Sequence, residues 1–244
     1  MNLLAEAIAW IFSPERLDGS VPLPLAIGQH LFYTFASVLV AAAVAVPLGW
    51  WIGHTGRGRE LAVAISGAAR AIPSFGLLVL LVLAFGVLHK PEAAVTSFVL
   101  LAIPSILAGA YSGFEAIDRR VIDAGRAAGM TEWQLLWRIE VPLGLPLLMG
   151  GLRSAALQVV ATVTIAAYVN LGGVGYYIIQ GVPLRDFAQI LGGALVVIAL
   201  ALVLDGLFAL AQHLVVPRGV TAGRASGLRA TPRRRRTAVA AVTR

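Results

Sequence analysis

The stretch "DAGRAAGMTEWQLLWRIEVP", residues 123–142, interrupts a chain that is otherwise built of long apolar runs. It is too polar to sit in lipid and too regular to be a plain linker. "RRVIDAGRAAG" predicts a helix from about Arg120, with small residues Ala124, Gly125, Ala127 and Ala128 on its surface and Gly129 ending it. Thr131 then caps a second helix with Glu132 in its first turn; Trp133, Leu136, Trp137 and Ile139 are its apolar anchors, and Pro142 is expected to stop it. The small surface of the first helix suits insertion into a groove. Both ends of the insert, residues 114–142, run into apolar segments, so force on it would reach them.

Working outward, 59% of the 244 residues are hydrophobic and 13% charged, with a mean hydropathy of +0.85. That balance belongs to a polytopic membrane protein. Five spans are expected, at about 31–52, 61–88, 93–113, 143–169 and 187–215, with the second read as one helix kinked at Pro73. In the third, Gly109 and Gly113 are spaced for close helix packing. Residues 1–29 form an extracytoplasmic segment, with an interfacial helix in "MNLLAEAIAWIF" and a breaker-rich loop after it. Residues 216–244, with "RRRR" at 233–236, read as a disordered basic tail attracted to anionic lipid.

The net charge of +7 is membrane-topology charge and does not indicate nucleic acid. Arg57, Arg59, Arg119, Arg120, Arg126, Arg138 and the tail arginines fall on one side; Arg16, Lys90 and Arg185 fall on the other. An excess of Arg on cytoplasmic loops therefore puts the N-terminus outside and the C-terminus and insert in the cytoplasm. There is no cysteine, and His30, His54, His89 and His213 stand singly, so no metal-ligand spacing is present. The one lysine, Lys90, lies in "HKPE", which leaves no Walker A loop with which this chain could cradle a nucleotide phosphate.

The insert resembles the cytoplasmic motif of the integral-membrane subunits of binding-protein-dependent ABC importers. That motif runs Glu-Ala-Ala, three residues, Gly, nine residues, Ile, one residue, Leu-Pro. Here Asp123, Ala124, Gly125, Gly129, Ile139, Val141 and Pro142 keep every spacing, with Asp for Glu, Gly for the second Ala and Val for Leu. "AIPSFGLL", "GLRSAALQVVATVTIAAYV" and "NLGGVGYYIIQG" resemble the permeases of osmoprotectant importers for glycine betaine, carnitine and choline. Gly172, Gly173 and Gly175 match the family's glycine segment, and Asn170 and Leu171 depart from it.

The resemblance implies an all-α protein with the MetI-like permease fold and a coupling-helix hairpin, in the bacterial inner membrane. It implies a separate ABC ATPase dimer carrying ATP and magnesium, a second permease chain, the same or similar, and an extracytoplasmic substrate-binding protein docking near 170–186. Related permeases for amino acids such as methionine share much of this pattern, so another small solute stays open. Three charges lie inside apolar segments, Arg70, Arg153 and Asp205, each on the order of 15 Å from the cytoplasmic end. Buried charge seeks a partner, and Asp205 is expected to pair with Arg153 or Arg70. A different class, a secondary transporter with Asp205 as ion relay, rests on the same residue, although no internal repeat supports it. Tyr168, Tyr176 and Tyr177 are candidates either for cation–π contact with a quaternary ammonium or for lipid anchoring.

Overall fold

The structure is a computed structural model that describes residues 2–215, and among these it is helical with no strand. Residues 216–244, with the expected disordered basic tail, lie outside the described residues. The elements are α1 (Leu3–Ile11), α2 (Pro14–Asp18), α3 (Leu23–Thr55), α4 (Arg59–Ala71), α5 (Ser74–Phe85), α6 (Lys90–Glu115), α7 (Arg119–Ala127), α8 (Glu132–Leu135), α9 (Val141–Ile165), α10 (Gly175–Leu184) and α11 (Phe187–Val215). Four helices are long and apolar enough to cross a membrane, and five spans result if α4 and α5 count as one broken span.

Three differences from the sequence expectation have local causes. The first long helix begins at Leu23, inside the segment read as a loop, because Pro24 falls in its first turn, where a missing N–H costs nothing. The second span is two helices at 89°, not one kinked helix. Ile72 (ψ 124°) and Pro73 (ψ 118°) are both extended, as a residue before proline prefers, and two successive extended residues turn the chain. Pro142 does not stop the second arm of the insert: helix continues from Glu132 to Val169. A π turn at Leu136–Glu140 shifts the hydrogen-bond register just ahead of the proline, which then falls in the first turn of α9.

The core lies between α3, α6 and α9. Small residues let these backbones meet. A Cβ on Gly109 would sit 2.7 Å from the Leu147 carbonyl oxygen, one on Gly113 2.7 Å from that of Gly144, and one on Gly151 2.7 Å from that of Ser105. Membrane helices, which gain little from apolar burial against lipid, associate through such close packing. At the end away from the insert, α1 lies on α11, and Trp10, Leu23, Ala26 and Tyr177 form a smaller cluster. The Arg16 guanidinium covers the Trp10 ring there at 5.1 Å.

Candidate functional site

The insert folds as a closed hairpin. Asp118 caps α7 by accepting from the Arg120 N–H at 2.9 Å. Gly129 follows α7 at φ +82°, a conformation glycine adopts without cost, and its N–H donates to the Arg126 carbonyl. Thr131 and Gln134 form a reciprocal cap on α8: the Gln134 N–H donates to Thr131 Oγ1 at 3.3 Å and the Thr131 N–H to Gln134 Oε1 at 2.9 Å.

Of the motif residues, Gly125 has a role that the sequence reading did not assign. It is the buried residue of α7 and faces the hairpin's own interior, where an added Cβ would meet Leu135 Cδ2 at 2.6 Å and Ile139 Cδ1 at 3.0 Å. The outward surface of α7 is made by Asp123, Ala124, Ala127 and Ala128, all exposed. On the second arm the fully buried anchor is Leu135, with Ile139 partly buried behind it; Trp133 and Trp137 are exposed and meet edge-to-face at 5.6 Å. Trp137 continues onto Trp50 of α3 (5.6 Å), which stacks on Phe114 of α6. Val141 and Pro142 are partly buried where the hairpin becomes α9.

A chain of charges ties the hairpin to the end of α3. Arg126 Nε donates to Glu132 Oε1 at 2.9 Å and Nη2 to Oε2 at 3.1 Å, joining α7 to α8. That hydrogen-bonded carboxylate holds the exposed Arg126 guanidinium above its usual pKa. Glu132 Oε2 also lies 3.7 Å from His54 Nε2, and His54 Nδ1 donates to Glu140 Oε2 at 2.5 Å. Glu140 is buried, so this contact satisfies a carboxylate that has left water. Arg59 of α4 pairs with Glu115 of α6 at 2.6 Å. Beside these groups is an open cleft of about 510 Å³ lined by His54, Arg59, Glu115, Arg119, Asp123 and Arg126, among others. The sequence reading missed the His54–Glu140 contact, since 86 residues separate the partners and neither forms a local motif.

The intramembrane charges divide. Asp205 of α11 is gripped by both Arg153 Nε and Nη2 of α9. Arg70, the other partner considered for Asp205, is not at that site: it is exposed in the last turn of α4 and forms no ion pair or side-chain hydrogen bond among the described residues. The glycine segment packs on α3. Asn170 is left-handed (φ 57°), and Gly172 and Gly173 (φ 90° and 76°) carry the chain over Gln29 and His30, with the Gly173 N–H donating to Gln29 Oε1 at 3.1 Å. Gly175 starts α10 where a Cβ would lie 2.1 Å from the Thr164 carbonyl oxygen. His30, single in the sequence, is fully buried, with Nε2 3.1 Å from the Val160 carbonyl. Of the three candidate tyrosines, Tyr177 is buried with its hydroxyl donating to the Val21 carbonyl, and Tyr168 is exposed. Among the described residues no group of His, Cys, Asp or Glu could hold a metal ion.

Residues 45–219 match the family model described as binding-protein-dependent transport system inner membrane component. The chain is 31% identical to the carnitine transport permease protein OpuCB of Listeria monocytogenes, over 82% of this chain and 90% of that one. It is 32% identical to the osmoprotectant import permease protein OsmW of Salmonella typhimurium, over 84% and 96%. It is 30% identical to the choline transport system permease protein OpuBB of Bacillus subtilis, over 79% and 88%. Among solved structures, an inward-facing form of the MetNI methionine ABC transporter superposes with a TM-score of 0.72 at 20% identity, covering 80% of this chain and 96% of that one.

Proposed function

The chain belongs to the inner membrane components of binding-protein-dependent transport systems, and from that premise we propose that it is the permease subunit of an ATP-driven importer for osmoprotectants such as glycine betaine, carnitine or choline. In this reading α7 seats in a cleft of a separate ATPase, which carries the ATP and magnesium, and nucleotide-driven closure of an ATPase dimer moves two such hairpins. A second permease chain, the same or similar, completes the path. An extracytoplasmic binding protein delivers solute near residues 170–186. The N-terminus lies outside and the hairpin in the cytoplasm, in keeping with the arginine distribution.

The observation that carries the coupling role is the hairpin itself. It is capped at both helices, closed by Arg126–Glu132 and fastened to α3 through His54, yet the α7 face with Asp123, Ala124, Ala127 and Ala128 is left open. An element braced inside and bare outside fits a docking part. The ion-relay alternative loses its main residue, because both oxygens of Asp205 are engaged by Arg153.

The test is co-purification of the full chain with the ATPase subunits of its host, with and without Gly129→Asp. Aspartate at φ +82° strains the turn that presents α7. Loss of bound ATPase on that change supports the coupling role. Full retention, or absence of any ATPase on the unaltered chain, argues against it.

A further inference from the structure

Arg16 sits in a corner made of two rings. Trp10 of α1 and Tyr177 of α10 meet edge-to-face, with centroids 5.1 Å apart and planes at 81°. The Arg16 guanidinium carbon lies 5.1 Å over the first ring and 5.8 Å over the second. Both distances fall within the reach of about 6 Å at which a ring face attracts a cation. Two faces nearly at right angles make adjoining walls of a cage, and both walls are fixed. Trp10 is pressed against α11, where a Cβ on Gly192 would lie 2.4 Å from Trp10 Cε3. Tyr177 is tied at two points: its hydroxyl donates to the Val21 carbonyl, and its own carbonyl accepts from Gln189 Nε2 at 2.9 Å. Tyr176 adds a further ring 5.6 Å from Tyr177.

The present occupant suits this cage poorly. A guanidinium is rich in N–H donors that need acceptors, yet Arg16 forms no ion pair among the described residues, and its Nε is buried without a hydrogen-bond partner there. Leaving a buried donor unpaired is unfavourable. A quaternary ammonium brings the same charge to the rings and has no N–H to leave unpaired. The element that delivers Arg16 is also lightly held: α2 has five residues, buries none of them, and is followed by Gly19 and Pro22 before α3 begins.

We propose that the Trp10–Tyr177 corner is a quaternary ammonium subsite at the end of the permease away from the hairpin, with Arg16 as an internal cation that an arriving trimethylammonium group displaces. The choice of solute rests on the osmoprotectant reading above and adds to it a cation site on the permease itself. Glycine betaine, carnitine and choline share the trimethylammonium group, so this corner accepts all three without sorting them. Displacing Arg16 also frees α2 from α10, which turns occupancy of the corner into release of the N-terminal segment.

The experiment is thermal melting of the purified full chain, titrated with tetramethylammonium chloride and, separately, sodium chloride. The unaltered chain, Arg16→Ala, and Arg16→Ala with Trp10→Leu are compared. Arg16→Ala is expected to gain saturable stabilisation from tetramethylammonium, half-complete at a concentration about tenfold below that of the unaltered chain. Adding Trp10→Leu is expected to abolish it. No gain in Arg16→Ala beyond that from sodium chloride, or the same gain with Trp10→Leu present, overturns the proposal. Should the variants not accumulate, hydrogen exchange of the unaltered chain decides: faster exchange of residues 13–20 in tetramethylammonium than in sodium supports displacement, and equal exchange overturns it. Neither measurement needs an ATPase, a binding protein or uptake, so the osmoprotectant reading stands or falls separately. An importer that moves none of the three solutes, while its permease binds tetramethylammonium at this corner, supports the cation site and sinks only that reading.

Discussion

His54 Nδ1 donates to the buried carboxylate of Glu140 at 2.5 Å, and this contact fastens the end of α3 to the π turn at the base of the hairpin. Replacing the imidazole leaves a carboxylate out of water without its partner. His54→Ala is expected to cost about 2 kcal/mol and to lower the melting temperature of the purified chain in detergent, while His54→Gln, which can still donate, loses less. Equal melting of His54→Ala and the unaltered chain would show that the contact holds nothing in place.

Arg153 and Asp205 tie α11 to α9 inside the apolar zone. Either charge left alone is unfavourable there, so Asp205→Asn and Arg153→Gln should each reduce accumulation in the membrane and thermal stability. The exchanged pair, Arg153→Asp with Asp205→Arg, should recover a substantial part of the loss. A double variant no better than the singles would mean that the geometry, and not the attraction, is what matters. Membrane immunoblots and melting curves read both quantities.

Neighbouring glycines on α9 should respond oppositely. A Cβ on Gly151 meets the Ser105 carbonyl at 2.7 Å and the Gly109 Cα at 3.1 Å, whereas one on Gly150 meets nothing within 4 Å. Backbone cannot step aside as a side chain can, so Gly151→Ala is expected to destabilise by about 1–3 kcal/mol. Gly150→Ala should be neutral or slightly stabilising. Thermal melting of the two single variants checks this, and matched losses would contradict the packing described for α6 and α9.

Gly125 separates the hairpin's internal packing from its outward face. Gly125→Ala is expected to be mild, because the atoms it meets are the flexible ends of Leu135 and Ile139. Gly125→Val, with two further carbons, should destabilise by about 1–3 kcal/mol through overpacking. Exposed Ala128→Ser, by contrast, should leave melting unchanged. A valine at 125 that melts like glycine would place that surface outward after all.

The spans were legible because composition alone separates them: long apolar runs, arginine at one set of turns, glycine pairs such as Gly109 and Gly113 at helix spacing. The hairpin was legible because Thr131 and Gly129 act within a few positions of themselves, whereas the Asp118 cap on α7 emerged only in the structure. What escaped was tertiary. The turn at Ile72–Pro73 and a kink at Pro73 look alike in sequence, since both begin with the same residue before proline. Pro142 read as a stop because the π turn that accommodates it has no signature of its own. His54 and His30 looked alike as single histidines, and only their distant partners, Glu140 and the Val160 carbonyl, tell them apart. Gly125 looks like outer surface in the sequence because small residues suit either side of a thin helix.

The unbroken helix from Glu132 to Val169 has a mechanical meaning. Its 38 residues make a rod about 57 Å long, with the hairpin's second arm at one end and the left-handed turn at Asn170 at the other. Fixed near its middle by the glycine contacts to α6, such a rod behaves as a rocker. A tilt of about 5° would carry each end roughly 2–3 Å in opposite senses, enough to exchange one set of side-chain contacts for another. In the proposed cycle, motion at one face of the membrane would reach the other along this one continuous helix, with the π turn at Leu136–Glu140 and Pro146 as the points where it can bend.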